Sequence, residues 1–218
     1  MRLLLTTLLF VAFFALVVGG KGGRRGSGGR GGNRPPPRPR SPPARPPSSR
    51  SPASRCPAGW TLVHRRIGGW CVRIYQGVYN QVQAESACNG VGAVLSGIES
   101  AAERQTIAEL GKTLMTTSSA WKYGTLRLGL SRPSLNSDFA WSDPNVSGWA
   151  GIEWSPLEPS GGSTSGYGHN CGLMWLWVPG GGAVYGASTR IHGTLFSMVC
   201  PITWNDRFRG FVCGRRAT

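Results

Sequence analysis

Apolar and polar positions divide the chain into three unequal stretches. From Leu3 to Val18 every residue except Thr6 and Thr7 is apolar. Lys21 to Arg55 contains no Leu, Ile, Val, Phe, Tyr or Trp, and from Cys56 onward apolar residues return. In that last stretch Ala84, Ala87, Cys88 and Val91 fall at i, i+3, i+4 and i+7, the face of a short amphipathic helix. Ser100-Ala101-Ala102-Glu103 has the form of a capping box, in which the Ser oxygen takes a free amide and the Glu reaches back. Ile107, Leu110 and Leu114 continue one face of that second helix. Gly172 to Val178 reads as a strand with Leu173, Trp175 and Trp177 on one face, and Gly210 to Cys213 as the last strand. Ser131 to Asn170 is rich in Gly, Ser and Pro with little periodicity, and a loop region of that length is usually functional. The pattern predicts an α+β domain, two helices beside small antiparallel sheets.

The first stretch bears on the compartment. Arg2 supplies a positive start, and the apolar run is shorter than the roughly 20 residues that a bilayer span requires. Gly19 and Gly20 are small, so Val18-x-Gly20 before Lys21 suits signal cleavage. Residues 1–20 are expected to be a secretory signal peptide, with no transmembrane segment and an extracellular protein as the product.

The net charge of +15 on 218 residues changes the picture of the middle stretch. Lys21 to Arg55 holds ten Lys or Arg and no acid, whereas residues 56–218 carry 13 Lys or Arg against all nine acids. A segment with nothing to bury cannot offset its ordering entropy. Its first half is Gly/Arg-rich and its second half, Pro35 to Pro52, favours an extended polyproline form. Gly28-Gly29-Arg30-Gly31-Gly32 has the look of a nucleic-acid segment, but no aromatic interleaves the arginines and secreted chains rarely meet nucleic acid. The expected role is a basic spacer with attraction for anionic surfaces, and nucleic acid is not an expected partner.

Six cysteines behind a signal peptide read as three disulfides in an oxidising compartment, with the connectivity left open by spacing alone. Paired cysteines leave no thiol nucleophile. His64, His169 and His192 form no His-x-x-x-His metal spacing, and no Gly-x-Ser-x-Gly elbow occurs. No enzyme is expected.

The order of motifs between Cys56 and Gly214 resembles the C-type lectin-like family in its long form, closest to secreted members of the nematode type. Cys56-Pro57-Ala58-Gly59-Trp60 through Gly69-Trp70-Cys71 looks like the family's extra N-terminal hairpin. Ala84-x-x-x-Cys88, Gly92-Ala93-x-Leu95-x-x-Ile98 and Glu103 look like its first helix leading into its second. Phe139-Ala140-Trp141-Ser142-Asp143 resembles the opening of its long loop, and Trp154 with Glu158-Pro159 its sugar-binding stretch. The resemblance implies the pairs Cys56–Cys71, Cys88–Cys213 and Cys171–Cys200. One strand departs from the family's Trp-Ile-Gly-Leu: here it is Arg127-Leu128-Gly129-Leu130, so Arg127 must snorkel outward or find a partner.

In sugar-binding members a calcium ion, which takes six to eight oxygens, also ligates two sugar hydroxyls. The resemblance places that site at Glu158 and Ser160, where the second position normally holds an amide, and at His169, where a Glu is expected. Imidazole suits calcium poorly. The remaining ligands come from a Trp-Asn-Asp, and two registers are open. Counting back from Cys200 puts Leu195, Phe196 and Ser197 there and leaves a degenerate site. Taking the visible triplet puts Trp204, Asn205 and Asp206 there, and Glu158, Asn205 and Asp206 would then be metal ligands. The cysteine-anchored register is favoured, which makes calcium a doubtful cofactor. Asn145-Val146-Ser147 is a glycosylation sequon in the long loop.

The expected function is extracellular recognition of carbohydrate, with a calcium-independent domain that binds extracellular protein or an anionic surface as the alternative. Deleting residues 21–55 is expected to leave the melting temperature unchanged and to weaken retention on heparin. A loss of several degrees would show that the arm packs on the domain.

Overall fold

A computed structural model of the chain describes residues 54–178, 190–204 and 206–218. The signal-peptide and arm expectations therefore lie outside the described residues, apart from Ser54 and Arg55. Twelve elements follow in order: β1 (Thr61–Arg65), β2 (Gly68–Gln76), α1 (Gln81–Gly90), β3 (Val94–Leu95), α2 (Ala101–Met115), β4 (Tyr123–Ser131), β5 (Ala140–Trp141), β6 (Ser163–Thr164), β7 (Tyr167–Gly168), β8 (Cys171–Trp177), β9 (Leu195–Met198) and β10 (Phe208–Arg216).

The main sheet runs β1-β2-β10-β4-β8-β9, with β3 on β10 and β5 on β4, and β6–β7 form a separate hairpin. Every pairing is antiparallel except β10 with β4. A parallel pair needs a long crossover, and the whole excursion from Arg132 to Arg207 supplies one. Arg55 and Thr218 exchange two backbone hydrogen bonds, at 2.8 and 3.0 Å. Among the described residues main-chain pairing begins at Arg55, and the truncation that spares it removes residues 21–54.

The three disulfides are Cys56–Cys71, Cys88–Cys213 and Cys171–Cys200. Cys88–Cys213 ties α1 to β10 across 125 residues, which in the chain-entropy view removes about 5 kcal/mol of freedom from the unfolded chain.

The helices differ in detail from the pattern reading. Ala84 and Cys88 are buried and Ala87 packs beside them, but Val91 is the exposed C-cap because the helix has already ended at Gly90. The reciprocal capping box belongs to α1, where Asn80 and Gln83 exchange bonds of 2.9 Å. Before α2, Ser100 Oγ accepts from the Glu103 amide at 3.1 Å, while the Glu103 carboxylate takes the Glu99 amide instead of returning to Ser100. It does so because it is claimed by a buried arginine.

That arginine is Arg65, at the end of β1. Its guanidinium donates to both Glu103 oxygens, to Asp143 Oδ2 at 2.8 Å and to the Gly97 carbonyl at 2.8 Å. It also lies 4.2 Å from the centre of the Trp70 ring. Both ion-paired side chains are buried, and two carboxylates share one cation. Burial pushes the Glu103 carboxyl up against the pull of these bonds.

The unbroken apolar run of β8 follows from two-sided burial. Every residue of β8 is buried. Met174 and Leu176 face Ile107, Ala108 and Met115 of α2, and Leu173, Trp175 and Trp177 face Phe196 and Phe208. The strand reading for 172–178 is displaced by one residue, and the last strand extends both ways from 210–213.

Arg127 does not snorkel. It is 1% exposed, donates to the Tyr79 carbonyl at 2.6 Å and the Ile202 carbonyl at 2.7 Å, and lies over the Phe208 ring. Burial lowers its pKa to about 10. Two carbonyls and a ring face take the place that a hydrophobic side chain would fill.

Removing the shared cation should leave Glu103 and Asp143 buried and unpaired. Arg65→Met is expected to lower unfolding free energy in urea by about 3–5 kcal/mol. A loss under about 1 kcal/mol would show the pair to be no more valuable than a surface one.

Candidate ligand-binding face

The chain leaves β4 at Ser131 and re-enters the sheet at Cys171, and the excursion carries most of the expected site residues. Leu195 hydrogen-bonds this excursion to β9: its amide donates to the Glu153 carbonyl at 2.7 Å and its carbonyl accepts from Ser155 at 2.8 Å. β9 in turn pairs with β8 in the register Cys171↔Met198, Gly172↔Ser197 and Leu173↔Phe196. Phe196 and Ser197 are therefore the residues of the strand beside Glu158.

Glu158 follows Leu157, which is 89% exposed and holds a left-handed φ of 69°. The Glu158–Pro159 peptide bond is cis. Glu158 Oε2 accepts three hydrogen bonds, from Ser160 N at 2.8 Å, Ser197 N at 2.9 Å and Ser197 Oγ at 2.6 Å. Ser160 Oγ lies 3.0 Å from Ser197 Oγ and 2.7 Å from His169 Nδ1, and His169 Nε2 lies 2.9 Å from Thr164 Oγ1. A neutral imidazole satisfies both hydroxyls, one nitrogen accepting and the other donating. Burial lowers the His169 pKa, Glu158 opposes it and Arg132 adds to it.

Glu158, Ser160, His169 and Ser197 are thus brought together in one closed network. Donors occupy the carboxylate oxygen that a cation would need. Phe196 is turned inward and stacks on Trp175 with centroids 4.1 Å apart, so that position offers no oxygen from its side chain. Among the described residues no group of three or more His, Cys, Asp or Glu is arranged to hold a metal. Ser160 with His169 has the outline of a hydrolytic dyad, but the second nitrogen faces a threonine hydroxyl and no acid orients the ring.

Asp206 is not part of this network. Its carboxylate pairs with Arg207 at 3.0 Å and its carbonyl accepts from Arg209. The Arg207 bond holds its carboxyl below the usual range. Trp204 packs on Phe208, and Asn205 lies outside the described residues. Asp143 caps a turn at Asn145, its Oδ1 accepting from the Asn145 backbone amide at 2.9 Å and from Asn145 Nδ2 at 3.3 Å. Ser147 Oγ donates to Glu99. At Glu99 burial works against ionisation, but the bonds from Ser147 and the Arg66 amide outweigh it and hold the carboxyl low.

A second feature escaped the sequence reading. On the far side of Pro159 lies a cleft of about 600 Å³ walled by Phe139, Trp149, Ile152 and Trp154, with Arg132 and Asp138 beside them. The only sequence signal for it is the number of aromatics in a stretch otherwise poor in apolar residues.

No family model matches the chain, and no curated protein matches it in sequence. Solved structures match its fold. The carbohydrate-recognition domain of cow CD23, crystallised with a GlcNAc2Man3 oligosaccharide, is 22% identical with a TM-score of 0.51, over 76% of this chain and 98% of its own. A calcium-independent type II antifreeze protein is 19% identical with a TM-score of 0.51, over 76% and 98%. Human lithostathine is 19% identical with a TM-score of 0.52, over 74% and 91%. At these identities the likeness shows the fold alone, which is the α+β C-type lectin-like fold.

The network should make stability fall on the acid side. His169 and His192 both have folded pKa values below the unfolded 6.5, burial being the first cause in each. The unfolded chain then binds more protons, so stability is intact above about 6.5 and is lost as pH falls through the folded values. His169→Gln is expected to reduce the drop in melting temperature between about pH 6.5 and 5. An unchanged slope would assign the drop to His192 alone.

Proposed function

We propose that this chain is a secreted recognition domain that engages carbohydrate without calcium. The observation that carries the reading is the occupation of Glu158 Oε2 by three protein donors. Calcium takes six or more hard oxygens. To enter here it would have to strip two amides and a hydroxyl from that oxygen, with Phe196 and His169 offering nothing hard in return. The fold of the matched structures supports a binding role, and the CD23 domain among them was crystallised with an oligosaccharide. The antifreeze protein of the same fold is calcium-independent.

Secretion is supported by the apolar run at residues 3–18 and by three closed disulfides. Asn145 is proposed as a glycan acceptor: it is half-buried, and one amide hydrogen can stay with Asp143 after the other is replaced. The hairpin β1–β2 with Cys56–Cys71 fits a long-form member. A specific observation favours a second reading. Ten basic residues without an acid in 21–55 suit an anionic surface or an acidic extracellular protein, whatever the folded part binds. No catalytic step is assigned.

Calorimetry at millimolar calcium, on wild type and on Asp206→Ala, decides the metal. No binding heat and no rise in melting temperature is expected in either protein. A calcium signal present in wild type and lost in Asp206→Ala would move the ligand set to the Trp204 segment and overturn the proposal. Glycan-array binding in EDTA is expected to persist.

A further inference from the structure

Three protein donors already take Glu158 Oε2, so a calcium-free reading is better served by another place for a sugar. The cleft beyond Pro159 has the composition of such a place. Ligand sites of a few hundred Å³ pair apolar walls with a few fixed polar groups, and this one measures about 600 Å³.

Its walls are held from behind. Trp154 bridges to Leu195 of β9 and packs on Phe139 with centroids 5.1 Å apart. Gly151 lies so close to the Ile98 carbonyl that a Cβ could not fit, which fixes the turn carrying Trp149 against the domain. Trp149 itself is 52% exposed and its ring enters no hydrogen bond.

The polar groups are also fixed, and they differ in sign. Arg132 lies over the Phe139 ring at 4.7 Å and spends Nη2 on the Ser160 and His169 carbonyls, at 2.9 and 3.1 Å. Among the described residues its Nη1 makes no hydrogen bond and is left to donate. Asp138 is exposed and takes part in no hydrogen bond or ion pair. The cleft therefore presents donors on one side and an acceptor on the other, with aromatic rings between and no net charge. A neutral pyranose matches all three properties. Its C–H face covers an aromatic ring, and its neighbouring hydroxyls both accept and donate. An anionic ligand would meet Asp138 and a cationic one Arg132.

We propose that a neutral pyranose ring of a glycan binds in this cleft, stacked on Trp149 and hydrogen-bonded by Arg132 and Asp138. This rests on the calcium-free carbohydrate reading and gives it a site.

Two-dimensional NMR spectra of the full chain in EDTA test it, with methyl α-mannopyranoside, methyl β-glucopyranoside, methyl β-galactopyranoside and chitotriose as probes, and a proline-rich peptide as the rival class. At least one saccharide should shift the indole signals of Trp149 and Trp154 saturably. Trp149→Ala should weaken that binding about tenfold or more, Trp149→Phe should keep most of it, and Asp138→Asn should weaken it with the rest of the spectrum unchanged. If a saccharide instead shifts the Ser160 and Ser197 amides, or binds all variants as it binds wild type, the cleft is wrong and the carbohydrate reading stands. If only the peptide shifts the indoles, or no probe shifts any signal, both fall.

Discussion

The fold depends on how a single buried cation is shared. Arg65 sits at the end of the first strand, and its partners come from α2, from the Ser96–Gly97 turn and from Asp143 at the base of the long excursion. These segments lie 31 to 78 residues away in sequence. No hydrophobic contact would specify so many angles at once, because apolar packing tolerates sliding and a forked guanidinium does not. Replacing such a buried set by apolar groups is often neutral for stability. Its value here is geometric. Asp143 also takes the Gly97 amide and caps Asn145, so the same cation that holds the hairpin to α2 fixes where the long loop leaves the sheet.

From that base the loop reaches β9, where a carboxylate is compensated by neutral donors. A carboxylate turned toward a partly buried position needs compensation. Glu158 receives it from two amides and a hydroxyl, all neutral: the amide of Ser160 two residues on, and the amide and hydroxyl of Ser197, whose place is set by the β8–β9 register. Serine at 197 is small enough to sit within 2.6 Å of the carboxylate and to accept from Ser160 on its other side. An aspartate there would bring a second negative charge against the first and would require a cation between them.

Much of this was legible in the chain, for identifiable reasons. Strand periodicity is a local signal, the disulfide pairs followed from the family resemblance and not from cysteine spacing, and anchoring on Cys200 puts Ser197 beside Glu158 as the sheet does. The triplet Trp204-Asn205-Asp206 matches by letters and carries no register of its own; Asp206 pairs with its neighbour Arg207. Arg65 was silent because its partners have no fixed spacing from it. Glu103 carried a correct signal for a helix start and an incorrect one for a returning bond, since the Arg65 guanidinium and the Glu99 amide take its carboxylate. Arg127 could not be resolved from sequence either: two carbonyls from remote segments receive it, and backbone acceptors leave no trace in residue identity.

The closed network and the open cleft are mechanically one object. Arg132 links them, since the carbonyls that hold its Nη2 belong to Ser160 and His169, both members of the network. Ser160 is in turn fixed through its amide by Glu158 and Ser197. Whatever stiffens that network also fixes the guanidinium against Phe139, and a donor already immobilised gives up less freedom when a ligand arrives. A metal-bound site draws its rigidity from the ion and loses it when the ion leaves. Here rigidity comes from hydrogen bonds among Glu158, Ser160, His169 and Ser197, so the wall of the cleft is preorganised by the same residues that compensate the Glu158 carboxylate.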